Sequence, residues 1–534
     1  VSQVDFSMPV EQRLSWDPRH EPCIPVVKTD GAEIALSLCE LFGQADGLST
    51  ISCATAGEAV AVIEYLLAIC FAAEICPATP EEWKEWVLDG HDLGRASEWL
   101  ADEPEDDWNM FHPEKPLGQN SLLIESFTKS STGTAQLVIE RTGDYNQFFD
   151  HHHLEDGEPL PAAQAFRAML TQHAYATYGR ARMTGEDLGP TVTNLATGRL
   201  QGRIRVVALG STLGETLRLN LYPYKGAVGK LNTSWTSGSV TRRTFDKKAV
   251  PRVPDSPADL HSALGRSVLL HPALAPDGSI VVNRVLIGAG EVLALDDELH
   301  LQDAVFVQPA SGPPKPLWPS PTRALWQEAH ALYSAVKAQQ PGLYKRLASL
   351  PYKRKDRSAP YQLWAVGLIA NKTLPVTWTD GHFPYAPGMA AHLYRASRRG
   401  SRIAEYLAWS LKRAATIASE TVHSAAHAAD EARQVARFDA RWMFWPAAAK
   451  PFDRLLDQVI EEGFDNPDDP VSSPLAEYTR VLLDSARTHL VYRLDSLPPN
   501  KRGYEARARA LRRFEDDVAH DKAPAELRGE IAHD

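Results

Sequence analysis

The sequence changes character near Gly388, and that change bounds what the chain can fold into. Upstream it is irregular, with Pro, Gly and Ser concentrated between residues 236 and 320. Downstream Ala and Arg dominate, prolines thin out, and apolar residues recur every three or four positions. That spacing predicts helices over 388–398, 401–432, 447–463, 471–496 and 502–519. Pro446, Pro451, Pro467, Pro470 and Pro498-Pro499 serve as the expected breaks. Four or more antiparallel helices joined by short links form a bundle. The expected fold is therefore α+β: a large irregular mixed N-terminal domain over residues 1–390, then a C-terminal antiparallel four-helix bundle over 391–534.

Within the first domain the pattern is mixed. Ile24–Val27, the turn at Thr29-Asp30-Gly31 and a second apolar run predict a β-hairpin followed by a helix start. Residues 57–76 read as a buried helix closed by Pro77, and Gln136–Glu140 as a strand within a mostly loop stretch over 112–160. Phe166, Met169, Leu170 and His173 predict a helix over Ala162–Tyr178, with Gly179 as its stop. Ile204–Leu209 predicts a strand leading into a helix that carries Leu213, Leu217 and Leu221. Residues 236–320 suggest several short strands. Gly367–Thr373, between the apolar Tyr361–Val366 and the extended Leu374–Trp378, reads by itself as a turn.

With 534 residues, 44% of them hydrophobic, the chain buries a core without staples. Its five cysteines (Cys23, Cys39, Cys53, Cys70 and Cys76) form no C-x-x-C pair, which suits a reducing cytoplasm. The first residues have no basic and apolar leader pattern, and no apolar run is long enough to span a bilayer, so no membrane partner is expected. A net charge of −12 argues against indiscriminate nucleic-acid binding but leaves room for local basic surfaces. Three exist: Arg242-Arg243 with Lys247-Lys248; Lys353-Arg354-Lys355 with Arg357; and Arg395, Arg398, Arg399 and Arg402. The second precedes the Gly367–Thr373 turn and is the expected phosphate contact; the third reads as a solvated face.

Several motifs suggest chemistry and have plainer readings. Asp150-His151-His152-His153-Leu154-Glu155-Asp156 carries metal-ligand types, and a metal-dependent hydrolase built on it is the alternative function. Adjacent side chains diverge, however, and no distal H-E-x-x-H completes a site, so a structural loop and no cofactor are expected. Ala208–Thr216 resembles a phosphate loop, but Glu215 stands where a Lys is needed, which makes it a packing turn. Phe438, Trp442, Met443, Phe444, Trp445 and Phe452 could stack bases, although their helical spacing points to core packing. The same spacing gives His423 and His427 an interhelical position. No G-x-S-x-G elbow and no distinctive acid/base pair is present, and no enzymatic activity is expected.

Taken in order, the motifs resemble one family. Glu21-Pro22-Cys23-Ile24-Pro25-Val26 with Asp30-Gly31 is similar to the opening of the CasA family, with Cys23 where a Trp is usual. That family is the large subunit of the type I-E CRISPR surveillance complex Cascade. Trp108-Asn109-Met110-Phe111-His112-Pro113-Glu114-Lys115-Pro116 resembles the approach to its long loop, expected here from near Asn120 to about Thr134. Leu209–Leu217 resembles its G-x-x-L-x-E-T-L turn and helix, and Ala426–Phe438 with Leu455-Leu456 its bundle.

The resemblance implies a non-catalytic subunit that reads a short flanking motif (PAM) in target double-stranded DNA. Asn371-Lys372-Thr373 sits where the family has Asn-Gln-Ala. It implies minor-groove contacts by Asn371, Thr373, Gly179 and Lys315, a duplex wedge at Lys372, and phosphate contacts at Lys353, Arg354 and Lys355. Phe111 matches the aromatic that meets the 5′ handle of the guide RNA. The implied partners are the guide RNA, target duplex, the backbone and small subunits, and a helicase-nuclease recruited after target binding.

Overall fold

The computed structural model of the chain is described here for residues 14–141, 158–180, 194–235, 251–295, 303–307, 311–312, 315–334, 342–351, 359–371, 374–423 and 428–529. The fold mixes helices with small sheets whose strand pairs are antiparallel. It divides into two compact units. The first comprises Val1–Thr322, Gln340–Leu350 and Tyr361–His382; the second comprises Arg323–Gln339, Pro351–Pro360 and Phe383–Asp534. The second therefore draws residues from upstream of position 383 as well as the helical C-terminus.

The first unit opens with β1 (Ile24–Lys28), β2 (Glu33–Leu36) and β3 (Leu48–Ile51), with β1 in the middle. The Asp30-Gly31 turn between β1 and β2 is where the sequence places it. Ser37 then caps the Leu38–Gly43 helix, its hydroxyl accepting from the Glu40 amide while Glu40 accepts from the Ser37 amide. Apart from Glu58 and Glu64 the Ala56–Ala72 helix is largely apolar, and it is buried almost throughout, as such a helix must be. It packs on the Ala162–Tyr175 helix, where the Tyr65 and Phe166 rings meet edge to face at 5.8 Å.

The remaining strands are β4 (Leu160–Pro161), β5 (Gly179–Arg180), β6 (Asn194–Leu195), β7 (Arg205–Leu209), β8 (Arg266–Leu274), β9 (Ile280–Ala289), β10 (Phe306–Val307), β11 (Lys315–Pro316), β12 (Tyr361–Asn371) and β13 (Leu374–Tyr385). Their sheets run β4-β9-β8, β5-β6, β10-β11 and β13-β12-β7. The β7 strand is followed by the Leu213–Asn220 helix. Its cap is the packing turn expected from Glu215, which accepts from both the amide and the hydroxyl of Ser211 at 2.6 Å.

Several expectations need correction. Gln136–Glu140 is not a strand: two short 3-10 turns, Thr134–Gln136 and Ile139–Arg141, occupy the segment. The helix before Gly179 ends at Tyr175, and Gly179 instead begins β5. The region expected to hold short strands contains β8 and β9, of nine and ten residues. They turn at Asp277-Gly278, where Asp277 Oδ1 accepts from the amide and hydroxyl of Ser279. The proposed break at 398–401 does not occur, and one helix runs from Ala390 to Val422. Pro446 and Pro451 do not end a helix either; both lie inside Arg441–Asp465.

In the second unit the 33-residue Ala390–Val422 helix packs against the helices Ala428–Phe438, Arg441–Asp465, Ser472–Leu494 and Lys501–Val518. Leu393, Ala396, Ile403, Leu407, Leu411, Ala414 and Ala418 give it one buried stripe. Asp517 ties it to the last helix, accepting from Arg413 at 2.8 Å and Ser410 at 3.2 Å. Phe438, Phe444 and Phe452 are core residues as their spacing implied, but Trp442 is 60% exposed. Among the described residues no helix is long and apolar enough to cross a membrane.

Candidate nucleic-acid interface

The segment expected to be a loop is largely strand. Leu363, Ala365, Val366, Leu368 and Ile369 are buried, and β12 continues to Asn371, which is exposed. Gly367 permits this continuation. A Cβ on it would lie 2.6 Å from Pro319 Cγ and 2.7 Å from Ile204 Cδ1, so only glycine lets the Pro319 segment close against the strand. Residues 372 and 373 alone separate β12 from β13, and a two-residue link between hydrogen-bonded neighbours makes an antiparallel hairpin. Lys372 and Thr373 lie outside the described residues, as do Lys353, Arg354, Lys355 and the whole of Asp150–Asp156. Among the described residues no group of three or more His, Cys, Asp or Glu could hold a metal ion.

The hairpin stem is anchored, and the described residues flanking its link are exposed. Trp378 donates from Nε1 to Glu140 Oε1 at 2.5 Å and meets the Tyr175 ring edge to face at 4.8 Å. Nearer the tip, Leu374 is 42% and Val376 59% exposed.

Lys315 lies toward the same end. β12 pairs antiparallel with β7, and the last pair toward the tip is Val366 with Arg205. Arg205 bridges antiparallel to Ala304, and the Leu317 amide donates to Val305 O at 2.8 Å. β11 runs antiparallel to β10, with Lys315 opposite Val307. Direction thus alternates across the rows, and Lys315, two residues before Leu317, is displaced tipward. It is exposed.

Gly179 joins this region through its neighbours. It pairs with Leu195, and no close backbone approach demands glycine there, since a Cβ would meet only Leu195 Cδ1 at 3.9 Å. It stands four positions after Tyr175, a reach of at most about 14 Å. The Gly198 and Leu200 amides donate to Ala176 O and Ala174 O, each at 2.8 Å. Gly202 in turn underlies the Trp318 ring. Helix end, 198–202 segment, Trp318 ribbon and hairpin stem are therefore linked by direct contacts.

Phe111 is elsewhere and half-buried, packed against the core, with its amide donating to Asn109 Oδ1 at 2.9 Å. The long loop expected over Asn120–Thr134 is a folded segment instead, containing the Ser121–Leu123 turn and the Ile124–Ser130 helix. Buried Asn120 is the reason. Its amide group donates to Ser267 Oγ at 3.1 Å and its backbone N–H to Val268 O at 2.8 Å, stitching the segment to β8. Leu122 and Ile124 remain 50% and 36% exposed.

Beneath the hairpin's sheet lies an ion network that sequence reading missed. Glu64, from the buried Ala56–Ala72 helix, pairs with Arg199 and, at 2.8 Å, with Arg205; Asp303 meets Arg199 at 2.9 Å. Burial raises the Asp303 carboxyl, but the Arg199 and Arg205 guanidinium groups outweigh it and hold the group well below the carboxylate range. Burial, then the Arg199 charge, keeps His261 neutral, and its Nδ1 lies 2.7 Å from Glu64. One signal was available: Glu64 is the lone charge in Ala59–Phe71.

Comparison with known proteins places this architecture. The sequence model of the CRISPR-associated protein Cse1 family matches residues 20–488. A curated relative, the CRISPR-associated protein CasA/Cse1 of Thermus thermophilus, is 28% identical over 205 residues, covering 38% of this chain and 39% of the relative. The chain superposes on a crystal structure of Thermus thermophilus CasA with a TM-score of 0.74 at 18% identity, covering 94% of this chain and 99% of the other. Acidimicrobium ferrooxidans Cse1 gives 0.72 at 19% identity, covering 97% and 99%. A chain of a CRISPR RNA-guided surveillance complex gives 0.68 at 21%, covering 94% and 99%. With the family match running through most of its length, this chain belongs to the CRISPR-associated Cse1 (CasA) family.

Proposed function

We propose that this chain is the non-catalytic large subunit of a guide-RNA surveillance complex, and that its β12–β13 tip reads a flanking motif in duplex DNA and opens the adjoining base pair. The observation that carries the reading is the hairpin itself: a stem fastened by Trp378 and Pro319, ending in exposed Asn371. A rigid stem with a two-residue tip suits a groove too narrow for a helix. The minor groove offers a degenerate pattern of acceptors, so a reader of it tolerates several flanking motifs. Asn371 and Thr373 supply donors and acceptors at the tip, with Lys315 and Gly179 as flanking contacts. Lys372 is the wedge, its aliphatic stem entering the stack while the ammonium stays near phosphate.

Unstacking one step costs a few kcal/mol, and guide–target pairing then replaces duplex pairing in a nearly balanced exchange, as described for a single-protein RNA-guided effector. A small local push is enough to start opening. Lys353, Arg354 and Lys355 provide the phosphate contacts. Phe111, half-buried against the core, meets the guide-RNA handle. In this reading residues 1–390 sense the motif. Residues 391–534, as an antiparallel four-helix bundle, follow the opened DNA, and the assembled complex recruits a separate helicase-nuclease that cuts.

The test is made on the assembled complex. Lys372→Ala is expected to weaken target-duplex binding by about tenfold or more while guide-RNA assembly stays unchanged. Asn371→Ala is expected to alter the ranking of flanking motifs in a randomised-flank binding assay. Equal loss of duplex binding and guide assembly, together with an unchanged motif ranking, refutes the reading.

A further inference from the structure

Trp318 is 65% exposed, which is unusual for so large an apolar side chain that is also firmly held. Its ring lies over Gly202, where a Cβ would stand 3.1 Å from the six-membered ring. Gly202 has φ +74°, the left-handed region where glycine is favoured, and its bare backbone forms the floor on which the indole rests. On one side Leu317 is hydrogen-bonded to Val305; on the other Pro319 fills the space left by Gly367 at the base of the hairpin. The indole is therefore fixed to the strand that carries Asn371, with Lys315 three residues before it and displaced toward the same end. Core packing does not account for it, and a merely solvated position does not call for a glycine floor.

We propose that Trp318 is a stacking platform for an unpaired base of the displaced DNA strand beside the hairpin tip. The inference rests on the duplex-opening reading above. When the first pair parts, the target-strand base gains a guide partner and its former mate has none. An aromatic face compensates the lost stacking for any base, because every base has a π-face. Lys315 offers its ammonium to the phosphate of the same nucleotide. A protein partner would more often bury such a residue in a wider apolar patch, whereas here an exposed cation, Lys315, lies three residues away on the same segment.

The experiment measures binding of the assembled guide complex to two target duplexes. One is intact, and the other carries an abasic site in the displaced strand at the first position beside the flanking motif. Trp318→Ala is expected to weaken binding of the intact duplex by about tenfold, Trp318→Phe to restore most of it, and Trp318→Leu to restore little. On the abasic duplex the difference between parent and Trp318→Ala is expected to vanish, since the two changes remove the same contact. A Trp318→Ala complex that binds intact duplex within twofold of the parent overturns the proposal. So does a leucine variant equal to the phenylalanine one, or a loss confined to guide-complex assembly, which would assign the indole to a protein contact. Asn371→Ala, measured alongside, separates the two readings. If it alters motif ranking while Trp318→Ala has no effect, the hairpin reading stands and the platform falls.

Discussion

Glu64 shows how much one residue can hold. It interrupts an apolar helix and, with Asp303, balances two buried arginines, Arg205 of β7 and Arg199 of the 198–202 link. Taking charges out of water is costly, and the network is stable only while each is paired. Glu64→Ala leaves Arg205 with Asp303 as its only carboxylate partner in this network, at 3.6 Å. The expected loss is about 3–5 kcal/mol, read as a lowered denaturant midpoint. A loss below about 1 kcal/mol would mean that water reaches the arginines or that Asp303 suffices alone. Because Arg199 lies between Gly198 and Leu200, the same change is also expected to loosen the floor beneath Trp318.

At the scale of elements, two apparent interruptions are absorbed by packing. Proline inside a helix removes a backbone hydrogen bond and crowds the preceding turn, at a cost of about 3 kcal/mol. The Arg441–Asp465 helix carries Pro446 and Pro451 nonetheless, because Phe444, Ala448, Phe452, Leu455 and Leu456 bury one continuous face. Pro446 is itself exposed, so replacing its ring gives up little burial. Pro446→Ala is expected to stabilise the chain by about 1–3 kcal/mol, by giving the Trp442 carbonyl a helical partner. Thermal unfolding checks this, and an unchanged midpoint would show that the helix already bends to satisfy that carbonyl with water. The β12 strand follows the same rule. Burial of Leu368 and Ile369 carries it past Gly367, a residue that in isolation favours a turn.

For the whole molecule, the relevant property is a local cluster of basic residues in the sequence of an acidic chain. With a net charge of −12, long-range steering toward DNA is weak, so the proposed binding would depend on a few positioned contacts. Each phosphate contact adds about 0.9 to the slope of log affinity against log salt. Replacing Lys353, Arg354 and Lys355 together by Ala in the assembled complex is expected to lower the magnitude of that slope by about 2.7, while leaving the ranking of flanking motifs unchanged. Titrating target duplex at several salt concentrations measures both. An unchanged slope would remove these residues from the interface.

Sequence alone determined the features that depend on near neighbours. The Asp30-Gly31 turn, the largely apolar Ala56–Ala72 helix and the 3.6-residue period after Gly388 are each specified within a few positions of the chain. The ordered motifs over most of its length were likewise sufficient to point to the family. Tertiary structure decided the rest, because the deciding atoms come from far along the chain. Whether Gly367 is turn or strand depends on Pro319 and Ile204, and whether Asn120 begins a loop depends on Ser267 and Val268. Trp318 rests on the bare backbone of Gly202, a contact between residues more than a hundred positions apart. Local propensity is worth about 1 kcal/mol or less per residue. Burial of one large side chain or pairing of one buried charge exceeds that, so at such positions the distant partner prevails.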